Sequence, residues 1–165
     1  KGILPTHILQ INPNAENGSA IWYTKSMKRQ LYFTENLEIS NGTAEIPAML
    51  WFANKRSLKI FALANNRRPT EKTELFYAPF FNVYEDGNVC MGTVDVHIQN
   101  STSLKEFTEK WEDYFFNSYF SHLMNEHNPI NGNCVNLWKS LINTEKPFPK
   151  EALKKANATL KNLLQ

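Results

Sequence analysis

Between residues 20 and 64, four apolar runs follow one another with only short polar links. That spacing constrains the fold more than any other feature of the chain. "AIWYT" (20–24), "RQLYFT" (29–34), "AMLWFA" (48–53) and "SLKIFALA" (57–64) are rich in the aromatic and branched residues that favour strands. The first two flank a polar connection as the arms of a hairpin would, "NGT" at 41–43 is a turn signal, and "NKR" at 54–56 links the last two. Links this short suit an antiparallel four-strand meander. "AMLWFA" is apolar throughout and predicts a strand buried on both faces. "ILPTHILQI" (3–11) is read as an additional strand.

From Asn65 to Ile98 the pattern changes. Pro69, Pro79, Gly87 and Gly92 interrupt it and no helical period appears. An irregular segment of this length in a compact domain is usually functional. Its rings (Phe76, Tyr77, Phe80, Phe81, Tyr84) predict an ordered segment pinned to the sheet. The second half reads as helical. Ser103 and Glu106 form a capping pattern before Leu104, Phe107, Trp111, Tyr114, Phe115 and Ser118, and Tyr119 and Phe120 widen that face. "VNLWKSLI" (135–142) predicts a short second helix, and "PKEALKKANATLKNLL" (149–164) a terminal one with Leu153, Ala156, Leu160 and Leu163 on one stripe. The reading is α+β, with one domain over 1–165.

With 42% hydrophobic and 13% aromatic residues the chain has the makings of a packed globule, and a net charge of +2 requires no nucleic-acid partner. "KSMKR" (25–29) and "NNRR" (65–68) read as solvated turn charges, and no apolar run reaches the ~20 residues of a membrane span. The chain opens on Lys1 with no Met and no leader, which reads as an N-terminally truncated piece. Glycosylation sequons at Asn17, Asn41, Asn100 and Asn157 are chance matches in an asparagine-rich chain. Two cysteines, Cys90 and Cys134, are too few for a disulfide-stapled fold and read as thiols in a reducing cytoplasm. His122, His127 and Cys134 carry zinc-binding atoms, but their spacing fits no common finger, so neither metal nor cofactor is expected. His97 reads as an exposed strand-end residue with no role, and Cys134 as a half-buried loop thiol.

One stretch carries chemistry. "FFNVYEDGNVC" (80–90) places Asn82, the apolar Val83, Gly87, the apolar Val89 and Cys90 in the order of a ubiquitin-conjugating motif: His-Pro-Asn, an apolar residue, a glycine turn, an apolar residue and the catalytic cysteine. More narrowly, "RRPTEKTELFYAP", "APFFNVYEDGNVCMG" and "WEDYFFNSYFSH" resemble the protein B family of the bacterial PRTRC systems. That family is a prokaryotic branch of the ubiquitin-conjugating superfamily (conjugating family D). The resemblance covers roughly residues 20–125. It implies a ubiquitin-conjugating-enzyme-like fold: a four-strand meander, an irregular active-site segment, then helices. It also implies two partners, a ubiquitin-like protein and an ATP-dependent, ThiF-like activating enzyme, and a protein acceptor of unknown identity.

The chemistry fits these residue types. A thiolate is a strong nucleophile and its thioester stays reactive toward nitrogen, so Cys90 is the expected acceptor of a ubiquitin-like C-terminus. A glycine before it lets the turn fold tightly. By resemblance, Asn82 either stabilises the tetrahedral oxyanion, where losing a donor costs about 3 kcal/mol, or braces the loop. Taken alone, Asn82 is also a natural turn former. The superfamily places a polar residue some thirty positions past the cysteine to help deprotonate the incoming lysine, and His122 lies there at the expected end of the aromatic helix. A helix-terminal histidine can equally cap carbonyls. Phe80 and Phe81 replace the motif His and Pro, so stacked rings are expected to hold the turn, and "GTVDVHIQN" replaces the Trp-Ser-Pro stretch common after the cysteine. These departures keep a second reading open: a non-catalytic module that binds a ubiquitin-like protein without accepting it. A scaffold role for the exposed aromatics is a third.

Overall fold

The computed structural model describes residues 4–14, 17–91 and 103–164. Its strands are β1 (Ile8–Asn12), β2 (Ser19–Thr24), β3 (Met27–Phe33), β4 (Gly42–Ile46), β5 (Met49–Ala53), β6 (Leu58–Ala62), β7 (Glu74–Tyr77), β8 (Tyr119–Phe120) and β9 (Lys155–Thr159), and its helices are α1 (Leu104–Asn117) and α2 (Cys134–Leu141). The fold is α+β with mostly antiparallel pairing, as the sequence indicates.

The expected hairpin between "AIWYT" and "RQLYFT" does not form. β2 pairs with β5, from Ala20 opposite Ala53 to Thr24 opposite Met49. β3 pairs with β4, from Met27 opposite Ile46 to Leu31 opposite Gly42. The same register runs through both halves, so β2 and β3 are successive pieces of one bent arm, and β4 and β5 of the other. The bend falls at Lys25–Ser26 against Pro47–Ala48, and a proline there cannot donate to the ladder. The single reversal is the segment from Thr34 to Asn41, which contains a 3-10 turn at Glu35–Leu37.

β6 and β7 continue the meander, giving a six-stranded sheet in the order β1-β2-β5-β6-β7-β9 and a three-stranded one in the order β4-β3-β8. The prediction of an additional N-terminal strand holds as β1. "AMLWFA" is buried on both faces: Trp51 joins a core with Trp22, Ile60 and Trp111, while Leu50 joins a second cluster with Ile21, Tyr23, Leu63 and Leu75. All four tryptophans are fully buried. Each indole N–H is bonded: Trp22 to the Glu112 carboxylate, Trp51 to Thr24, Trp111 to the Asn54 carbonyl and Trp138 to the Pro79 carbonyl. Such pairing removes the penalty of burying a polar group inside the core.

α1 begins as predicted: the Ser103 hydroxyl accepts from the Glu106 amide at 3.2 Å. It buries Thr108, Trp111, Phe115 and Phe116 and stops at Asn117. Tyr119 and Phe120 do not widen its face. They form β8, parallel to β3, with Tyr119 opposite Tyr32 and Phe120 opposite Phe33. α2 forms where predicted, shifted by one residue to start at Cys134 and capped by Asn133.

The predicted terminal helix over 149–164 is overturned. A 3-10 turn at Lys150–Ala152 leads into β9, which pairs with β7. The stripe at 153, 156 and 160 mimics a helical period, but the unpaired edge of β7 offers Glu74–Phe76 a ladder, and that tertiary pairing overrides helix propensity. A left-handed Asn157 (φ 57°) lies inside β9, where the register with β7 shifts. The 65–98 segment is also less irregular than expected, since it contains β7 and a paired turn. His97 and the "GTVDVHIQN" stretch lie outside the described residues.

Candidate active site

Phe80 and Phe81 anchor the crossing segment. Phe80, 1% exposed, stacks on Phe120 (5.5 Å between centroids) and on Trp138 (5.2 Å), and meets Phe115 edge-on. Phe81 meets Phe33 edge-on. Stacked rings hold the turn, as the replacement of His-Pro by Phe-Phe predicts; aromatic contacts of this kind add about 0.5–1.5 kcal/mol each beyond simple burial.

Beyond these rings the chain turns sharply. Asn82 adopts a left-handed conformation (φ 66°), which asparagine tolerates better than most residues. A tight hairpin follows: Val83 pairs with Val89, the Tyr84 amide donates to the Asn88 carbonyl, and the Gly87 amide donates back to the Tyr84 carbonyl. Gly87 has φ 92°, and a Cβ there would stand 2.6 Å from the Phe61 ring, so both backbone and space demand glycine. The Asp86 carboxylate accepts from the Asn88 amide and side chain, which pulls its pKa below the usual range against the opposing effect of burial. The hairpin docks on β6 through Ile60 N–H to the Gly87 carbonyl and Val89 N–H to the Leu58 carbonyl.

Cys90 closes this hairpin, half-buried and reduced. Its amide donates to the Asn82 carbonyl at 2.7 Å, so the two motif residues form the neck of the turn. The Asn82 side chain points to the other flank. Its Nδ2 donates to the Tyr119 carbonyl at 2.9 Å, while Oδ1 accepts from the Ser121 amide (3.1 Å) and hydroxyl (2.9 Å). The Asn82 amide in turn donates to the His122 carbonyl. Asn82 therefore ties the cysteine turn to the strap after β8.

His122 is not at a helix end. It is exposed on that strap, five residues past α1, and its Nδ1 lies 2.8 Å from the Ser121 hydroxyl. A role capping α1 carbonyls is thereby removed. The structure brings His122 to Asn82 through backbone, and Asn82 to Cys90 through backbone.

Two phenols missed by the sequence reading also flank the thiol. Tyr84 lies beside Cys90, and the charge of Cys90, hydrogen bonding to its side chain, burial and Asp86 together raise the Tyr84 pKa. Tyr114, on α1, donates to the Met91 carbonyl at 3.2 Å; burial and then the charge of Cys90 raise its pKa. Tyr84 stands two residues after Asn82 inside the motif, a signal available in the sequence. Tyr114 carries none, because only the fold places α1 against residue 91. Ser121 could have been found beside His122.

The remaining cysteine and histidine lie apart from this chemistry. Cys134 is buried at the start of α2, and burial pushes its thiol up to about 12. It is thus more buried than the expected loop thiol. His127 meets the Tyr77 ring edge-on at 4.6 Å; burial and Lys154 lower its pKa while Glu85 raises it. Among the described residues no three His, Cys, Asp or Glu side chains gather as a metal-holding group, and no helix is long and apolar enough to cross a membrane.

Fold and site together define an α+β domain that presents a thiol on a hairpin docked against β6 and braced by an asparagine. The model of prokaryotic E2 family D matches residues 1–156, and the chain belongs to that family. Membership ties it to ubiquitin-like-protein conjugation pathways. Neither curated proteins nor solved structures yield a match.

Proposed function

We propose that this chain is a conjugating enzyme of the ubiquitin-conjugating type, built on a fold of that type and loaded on Cys90. The Cys90 thiolate attacks the carbonyl of a ubiquitin-like C-terminus held as a thioester on an ATP-dependent, ThiF-like activating enzyme, and the activator's thiolate leaves. An acceptor amine then attacks the new thioester, Cys90 thiolate leaves, and the amine proton passes to His122 or water. The supporting observation is the coupling of a half-exposed Cys90 to Asn82 by a 2.7 Å backbone bond on a glycine-dependent hairpin. The PRTRC-like sequence supplies the pairing with an activator and a ubiquitin-like protein, and a reducing, ATP-containing cytoplasm suits both.

Asn82 acts in this reading as a brace. Its Oδ1 is taken by Ser121 and its Nδ2 faces the Tyr119 carbonyl, leaving one Nδ2 hydrogen for other work. The same saturation favours a second reading, a non-catalytic module that recruits the ubiquitin-like protein. Incubation with activator, ubiquitin-like protein and ATP separates the two. A thiol-labile mass adduct on the wild type, absent from Cys90→Ala, is expected. Binding that persists in Cys90→Ala with no adduct on the wild type supports the module instead.

A further inference from the structure

The face beside the Asn82 brace carries an unusual exposure. Tyr119 is 56% exposed, a large ring left in solvent while its β8 neighbour Phe120 is fully buried. It is not isolated: Tyr32, opposite it on β3, sits 5.5 Å away at a 42° tilt. The Tyr119 carbonyl is the acceptor for Asn82 Nδ2, so the ring pair is fixed one hydrogen bond from the residue that holds the Cys90 turn.

The segment that follows Tyr32 adds charge. Residues 34–41 hold Glu35 and Glu38, both exposed, and no Lys or Arg. This segment is fastened to the same strap: the Thr34 amide donates to the Phe120 carbonyl at 2.9 Å, and Asn36 Nδ2 donates to the Ser121 carbonyl at 3.1 Å. The ring pair and a segment bearing two exposed carboxylates are thus both fastened to the strap on which His122 is exposed. Aromatic faces attract cations, and the carboxylates add attraction of the same sign.

We propose that Tyr32, Tyr119 and the Glu35–Glu38 turn form the docking surface for the acceptor, and that it selects a lysine set in a basic, extended segment. This rests on the conjugating reading above and names its substrate class. The rings orient the chain flanking the acceptor lysine, the carboxylates discriminate against acidic flanks, and neither takes part in loading Cys90.

Two arms test this separately. In the first, the full chain with labelled tyrosine rings is titrated with two synthetic peptides, each with one central lysine, flanked by arginines in one and by glutamates in the other. The basic peptide should shift the Tyr32 and Tyr119 ring signals at about fivefold lower concentration. Tyr119→Ala or the pair Glu35→Gln, Glu38→Gln should abolish the preference, and Tyr119→Phe should retain it. Equal affinities, ring signals unmoved at millimolar peptide, or shifts confined to another face would overturn the proposal. In the second arm, Tyr119→Ala should load like the wild type but discharge to the basic peptide with KM raised about fivefold, and to free lysine unchanged. A wild type that never loads defeats the conjugating reading, while the first arm still decides whether this face selects basic segments.

Discussion

The Cys90 amide and the Asn82 carbonyl meet at 2.7 Å, closing the neck of the cysteine hairpin. Because the Asn82 side chain also grips Tyr119 and Ser121, one residue fixes the turn relative to the strap that carries His122.

Removing the Asn82 side chain should therefore loosen two elements at once. Asn82→Ala leaves the Ser121 amide and the Tyr119 carbonyl without their partner and places alanine at φ 66°. A loss of about 2–4 kcal/mol is expected. Asn82→Asp keeps the acceptor for Ser121 and should recover part of it. Urea denaturation of the two variants checks the order; equal midpoints for Ala and wild type would refute the brace.

The two thiols should differ sharply in reactivity. Cys90 is half-exposed, whereas Cys134 is buried with its thiol pushed up to about 12. Native protein should take up one maleimide promptly, at Cys90 by peptide mass, and the second only in denaturant. Labelling of Cys134 first would contradict this arrangement.

Tyr84 should report the state of Cys90. Its raised pKa comes first from the thiolate's charge and the hydrogen bond to it. Cys90→Ala should therefore lower the pH at which the Tyr84 phenolate appears, read by ultraviolet difference titration against Tyr84→Phe. The linkage has a definite sign. A phenol with a raised folded pKa binds its proton longer folded than unfolded, so its contribution to stability declines as pH climbs above its ordinary value of 10.0.

His127 should make the fold acid-sensitive. Its folded pKa lies below the ordinary 6.5, chiefly through burial beside Tyr77. The unfolded chain then binds the proton first, and stability falls as pH drops through 6.5 toward the folded value. Lys154 works in the same direction and Glu85 against it. In His127→Gln the difference in urea midpoint between pH 7.5 and pH 5.5 should shrink, and in Glu85→Gln it should grow. An unchanged difference in both would rule out this source.

Much of the fold is legible in the sequence. The apolar runs mark the strands, Ser103 marks the start of α1, and the Asn82-to-Cys90 spacing marks the turn. What fails is partner choice. "AIWYT" and "RQLYFT" look like facing arms because both are strand-forming and closely spaced, yet the pairing depends on residues 42–53. "KANAT" (155–159) has helix-compatible composition, and only the open edge of β7, eighty residues earlier in the chain, makes it a strand. The helical spacing of the aromatics predicts a helix reaching His122, but α1 stops at Asn117 because β3 captures Tyr119 and Phe120 as a short parallel strand. Long-range competition of this kind leaves no local periodicity to read.

The bent arms have a consequence for which length changes the chain can survive. The spacers Lys25–Ser26 and Pro47–Ala48 match each other residue for residue, keeping both halves in phase. Deleting either member of one spacer would invert the outward half, driving Trp22 or Trp51 to the opposite side and splitting their 5.9 Å stack. Insertions at the tip between Thr34 and Asn41 leave the phase intact, so natural variation in length should gather there and spare the spacers.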